Sequence, residues 1–247
     1  MAGEKSFGVL LERLADRRRL DLTDLARLVD VSESELLALY RRGTPGQSLL
    51  RRLAPSLGLH TADVFAIAGG EVPADLAPVD TEAGLHVPYL LKHAVALSPE
   101  QRGALRQFVA SLPQKEHVQP VPSPPAYEQY PDGPGAVLMR LARTRNLSWS
   151  ALAKTFYWVT GRYWAAATYG GVGRGTTPLT PELLADFSAV LDIPAADLTL
   201  LTGVALPDES SATESAVAGL AELIWDVRHL TESQLLQAID VAESLRR

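Results

Sequence analysis

The sequence predicts an all-α fold made of two tandem copies, and three observations carry that expectation. Apolar residues recur at i, i+3, i+4 and i+7 in both halves, the period of a helix with one buried face. No stretch alternates polar and apolar residues as a half-buried strand requires. The chain also matches itself, with Gly8-Val9-Leu10-Leu11-Glu12-Arg13-Leu14-Ala15 falling on Gly135-Ala136-Val137-Leu138-Met139-Arg140-Leu141-Ala142, a register of 127 residues. The register widens to 134 where Leu57 to Val64 meets Leu191 to Leu198, and Gly69 and Pro73 fall opposite Gly203 and Pro207. Matches in one order along the whole length are the mark of an internal duplication.

The elements of the first copy follow in order. Phe7, Leu10, Leu11 and Leu14 share one helix face. Asp21 is an N-cap for a short helix that turns Leu25, Ala26 and Val29 inward, and Ser32-Glu33-Ser34-Glu35 reads as a capping box opening a third. Gly43, Thr44, Pro45 and Gly46 break the chain. Leu49, Leu50, Leu53 and Leu57 then define a fourth helix, and Asp63 to Ala68 a fifth before Gly69-Gly70. Ser98 with Gln101, and Thr231 with Gln234, open one further helix in each copy, with Pro99 at a first position where its missing N–H costs nothing. Between the copies the proline-dense run from Pro113 to Pro134 favours an extended spacer. The expected organisation is therefore 1–72 and 134–206 as the two repeated domains, 73–113 and 207–247 as helical appendages, and 114–133 as linker. Few contacts need cross such a spacer, so each half is expected to fold alone.

Composition narrows function. With 47% hydrophobic and 21% charged residues in 247, each half can bury a core. The charged, amphipathic start offers neither a signal peptide nor a membrane span, so a cytoplasmic protein with no membrane partner is expected. The absence of cysteine excludes disulfides and thiolate metal sites, and five scattered histidines do not replace them, so neither metal nor cofactor is expected. Gly170-Gly171-Val172-Gly173-Arg174-Gly175 lacks the Lys-Ser/Thr of a phosphate-binding loop, and nothing resembles a catalytic triad, so the chain is not expected to be an enzyme. Those glycines read instead as a flexible loop, with Arg174 either reaching a minor groove or projecting free.

Charge is distributed unevenly. The net charge is -6, yet no Asp or Glu occurs from Gly133 to Pro181, where Arg140, Arg143, Arg145, Lys154, Arg162 and Arg174 sit among seven Trp, Tyr and Phe residues. Such a segment is the footprint of a phosphate-backbone reader.

The residues also resemble the Xre/lambda-repressor-type helix-turn-helix family, through Leu25-Ala26, Val31-Ser32 and Arg42-Gly43 in the first copy and Leu152-Ala153, Val159-Thr160 and Leu191-Asp192-Ile193 in the second. The second copy fits with about one extra residue in its turn and about six more around Gly170 to Thr177. With its appended helices the whole chain resembles actinobacterial regulators of the EspR type, in which such helices help build a dimer. The resemblance implies a bacterial, nucleoid-associated transcriptional regulator that binds double-stranded DNA, with a homodimer through the appendages as the preferred assembly. It implies a recognition helix at Thr160 to Ala167, and DNA contacts from Arg145, Trp149, Lys154, Thr160, Arg162, Tyr163 and Arg174, with Arg41 and Arg42 in the first copy. The departures are Leu22 and Trp149 where the family carries a phosphate-anchoring Gln, and Glu33 and Glu35 on the first recognition helix, where carboxylates repel phosphate. They favour a second expectation, a protein-interaction module that binds another regulator or a polymerase component.

Overall fold

The computed structural model describes residues 6–41, 44–114, 123–205 and 219–246, and within them every regular element is helical. The first half holds α1 (Phe7–Arg17), α2 (Leu22–Leu28), α3 (Glu33–Tyr40), α4 (Gln47–Ser56), α5 (Thr61–Ile67), α6 (Val87–Ala94) and α7 (Pro99–Ser111). The second holds α8 (Pro134–Thr144), α9 (Trp149–Thr160), α10 (Ala166–Arg174), α11 (Pro181–Leu191), α12 (Ala195–Thr202), α13 (Leu220–Val227) and α14 (Glu232–Leu245). None is long and apolar enough to cross a membrane.

Local chemistry sets the boundaries. The side chains of Asp21 and Ser148, 127 residues apart, accept from the backbone N–H three residues on and start α2 and α9. Just before them Arg19 and Asn146 both take left-handed backbone conformations, at φ 56° and 60°, to end the preceding helix. Ser98 with Gln101 and Thr231 with Gln234 form complete capping boxes at α7 and α14. At α3 only half of the expected box forms: Ser32 accepts from the Glu35 N–H, while Glu33 accepts from the Thr23 hydroxyl.

The two halves do not form separate cores. One continuous apolar cluster runs from Leu10 through Leu53, Phe65, Leu90 and Leu138 to Phe187 and Ala242. Most of the contacts that cross between halves come in reciprocal pairs, the packing of α6 on α9 excepted: α5 packs on α8 while α12 packs on α1, and α13 and α14 pack on α6 and α7. Two capping glutamines cross as well, Gln101 donating to the Leu245 carbonyl and Gln234 to that of Pro113. Reciprocal pairing of this kind is what a two-fold interface produces, here inside one chain.

Three expectations are corrected here. The halves share a core because α5 is buried on every side, from Ala62 to Ile67, and a seven-residue helix without a polar face needs cover from a second body, which α8 provides. The appendages expected to meet a second copy cover one another within the chain. The glycine run is helix rather than loop: Tyr169 to Gly173 are buried in α10. Of the linker, residues 115–122 lie outside the described residues, while Tyr130 packs against Gly173 and accepts a hydrogen bond from the Trp149 indole.

Candidate functional site

The element that answers to α3 in the second half is α10, and a glycine identifies it. Gly8 of α1 lies so close to α3 that a Cβ there would overlap the carbonyl oxygens of Leu39 and Tyr40. Gly135, its match in α8, lies equally close to the Val172 carbonyl of α10. The helix expected at 160–167 is therefore displaced to Ala166–Arg174. Its predecessor α9 runs twelve residues where α2 runs seven, and the extra length sits before α10, not around Gly170 to Thr177. Val159-Thr160 is no turn: it is the last turn of α9, closed by Gly161 at φ 72°.

The expected DNA contacts divide into those engaged elsewhere and those left at the surface. Arg145 is 1% exposed and pairs with Asp63 of α5, which is wholly buried. A second Arg145 N–H reaches the other Asp63 oxygen at 2.9 Å, the guanidinium also donates to the Leu191 carbonyl, and Thr144 donates to Asp63 at 2.9 Å. Arg145 is thus the bolt between the halves and is not available to a phosphate. Its match in the first half, Arg18, pairs with Asp197 of α12, the match of Asp63, at 2.8 Å, and Arg17 joins them at 2.9 Å. The reciprocal bolts differ in depth, since Arg18 keeps 20% of its side-chain surface.

Arg162 is half exposed, but its Nε donates to the buried Asp186 at 2.8 Å and a second N–H joins it. Trp164 donates its indole N–H to the other Asp186 oxygen at 2.8 Å. Residues 161–165 are thereby strapped onto α11, and Arg162 lies in this strap instead of on a recognition helix. Thr160 turns its hydroxyl back to the Phe156 carbonyl. Trp149 packs its ring edge against Gly170, with Tyr127 edge-on and the Arg174 guanidinium 5.3 Å from its centre. Tyr163 is 67% exposed, and Arg41, Lys154 and Arg174 are at the surface. Arg42 lies outside the described residues.

The exposed faces of α3 and α10 carry little positive charge. On α3 the exposed residues are Glu33, Ser34, Glu35, Leu37 and Ala38. On α10 they are Ala167 and the terminal Arg174, with Ala166 and Thr168 partly covered.

Two features went unseen in the sequence. Asp63 and Asp186 are the buried carboxylates that claim the arginines; an acid among buried apolar neighbours, repeated in both copies as Asp63 and Asp197, was the available signal. The other is an exposed strip running from Leu85, in the turn just before α6, through Tyr89 to Lys92 of α6, lying beside the exposed strip of α9 at Ser150, Lys154 and Tyr157. The Lys154 ammonium sits 5.4 Å from the centre of the Tyr89 ring. No family model matches this chain, and neither a curated protein nor a solved structure matches it.

Proposed function

We propose that this chain is a cytoplasmic regulator of helix-turn-helix descent, two copies joined as an internal pair, that meets its target as a protein-binding module rather than as a reader of duplex DNA. One observation carries the reading. The arginines best suited to DNA, Arg145 and Arg162, are held by the buried carboxylates of Asp63 and Asp186, while α3 turns Glu33 and Glu35 outward. A surface that must neutralise phosphates cannot lead with carboxylates and alanines.

A second reading, sequence-selective binding of double-stranded DNA, has one feature in its favour. Helix α10 opens at Ala165 with no side-chain cap, and its first residues are small enough for close approach to a backbone. Fluorescence anisotropy with a pool of genomic duplexes at two salt concentrations separates the readings. Protein binding predicts only weak association that disappears with added salt and selects no sequence. A selected sequence whose binding falls on substitution of Arg41, Lys154 or Arg174 would establish the DNA reading instead.

A further inference from the structure

The two copies are alike in their bolts, their close glycines and their caps, and they differ most where α6 meets α9. In the first half the positions matching Lys154 and Tyr157 are Arg27 and Asp30, and the position in α13 matching Tyr89 is Glu222. An aromatic face on two helices without carboxylates thus forms in this one pairing, with Glu232 of α14 at its border, paired to His86 at 3.0 Å. Helix α6 lies on α9, whereas its match α13 lies on α11, so the packing that builds the face is itself one-sided.

That face has the composition of a docking groove. Leu85, Tyr89 and Tyr157 are 46%, 51% and 46% exposed. Neither α6 nor α9 contains a carboxylate, and Lys92 and Lys154 stand at the surface among the rings. Tyrosines offer large contact area at low entropic cost, and an ammonium beside them sets the sign of the partner. The exposed strips follow helical spacing on two adjacent helices, a surface that suits a third helix better than an extended strand, because neither helix has an edge to pair with.

We infer that the α6/α9 face binds an acidic amphipathic helix of another protein, with its apolar side on Tyr89, Tyr157 and Leu85 and its carboxylates toward Lys92 and Lys154. This rests on the reading of the chain as a protein-binding module. The ligand class is fixed by the face: apolar side chains at i, i+3, i+4 and i+7, with Glu or Asp on the flanks.

The test uses the full chain and a fluorescein-labelled peptide of about five helical turns, with Leu on one face and Glu on the rest. A scrambled peptide of the same composition, whose Leu no longer share a face, is the control. The expected result is saturable binding of the amphipathic peptide, about tenfold or more weaker for the scrambled one. Tyr89→Ala and Lys154→Glu should each weaken it by a similar factor, while Lys154→Arg retains it. Both positions are exposed, and unchanged melting midpoints verify the fold; Tyr157→Ser serves where Tyr89→Ala melts early. The inference is overturned when the amphipathic peptide does not bind, when it binds all variants alike, or when duplex DNA displaces it and is itself lost on Lys154→Glu. Peptide binding indifferent to this face, with the duplex pool still unbound, removes the inference and leaves the protein-binding reading standing. Selective duplex binding through α3 or α10 removes that reading itself.

Discussion

Asp63 has no exposed surface, and its charge is balanced by a guanidinium that is itself 1% exposed. Removing one partner of such a pair leaves the other charged and buried, so Arg145→Met should cost about 3–5 kcal/mol in urea denaturation. Adding Asp63→Leu should recover most of that loss, because the pair's absence is cheaper than half of it. Arg18→Met should cost less: Arg18 is partly solvated, and Asp197 retains Arg17. A second test concerns His60, which stacks on Trp225 with ring centres 3.5 Å apart, while the Arg228 and Arg145 guanidiniums lie 3.6 and 4.9 Å from the same indole. Burial holds the His60 pKa below its ordinary 6.5, Asp63 opposes that shift, and the two arginines add to it. The folded state therefore binds this proton less readily than the unfolded chain. This group's contribution to stability is complete above the unfolded value of 6.5 and is lost as the pH falls from there through the lower folded value. His60→Gln should flatten the decline of the denaturation midpoint between pH 7.5 and 5.5, and an equal decline in both proteins would remove His60 as its source. Burial also lowers the Arg228 pKa to about 10, with Arg145 adding to the effect, which underlines how crowded with cations this junction is. At this scale the sequence displayed the cations without their destinations. An arginine has the same spelling whether it faces phosphate or a buried carboxylate 82 positions away.

Helix boundaries followed from capping chemistry, which is local: Asp21, Ser98 and Thr231 start helices where the sequence places them. The glycine-rich run misled because its propensity argues against a helix, and packing reversed that preference. Gly170 admits the Trp149 ring, Gly173 admits Tyr130, and Gly135 admits the α10 backbone, so glycine is required by closeness and not by freedom. Gly135→Ala should accordingly cost about 1–3 kcal/mol, since its Cβ meets backbone that cannot swing aside. Gly103 provides the contrast, lying exposed inside α7 with nothing within 4 Å of an added Cβ. Gly103→Ala should stabilise by about 0.5–1 kcal/mol through helix propensity alone. Thermal melts of the two variants should move in opposite directions, and a stabilising Gly135→Ala would contradict the close α8–α10 crossing. The displacement of α10 from its expected place had a sequence cause too: Trp149 to Thr160 is uninterrupted by Gly or Pro, so α9 runs on to Gly161.

For the molecule as a whole, the all-helical class was legible in the periodicity, and the register of 127 residues reappears as matched ion pairs, glycines and left-handed residues. The sharing of one core was less visible, although the all-round apolar face of α5 was a clue, because periodicity shows that a face is buried and not which element buries it. Two linked copies that cover each other leave α3 and α10 with unequal surfaces, and the α6/α9 face has no counterpart among the described contacts of α13. The most direct test is to produce residues 1–113 and 124–247 separately and together, following each by circular dichroism and sedimentation. Neither segment should melt cooperatively alone, since the first would expose α5 and α6 and the second α8, α13 and α14. Mixed, they should assemble one-to-one with a cooperative transition near that of the intact chain. Two segments that each melt cooperatively and sediment independently would show that the halves are autonomous domains and contradict the shared core.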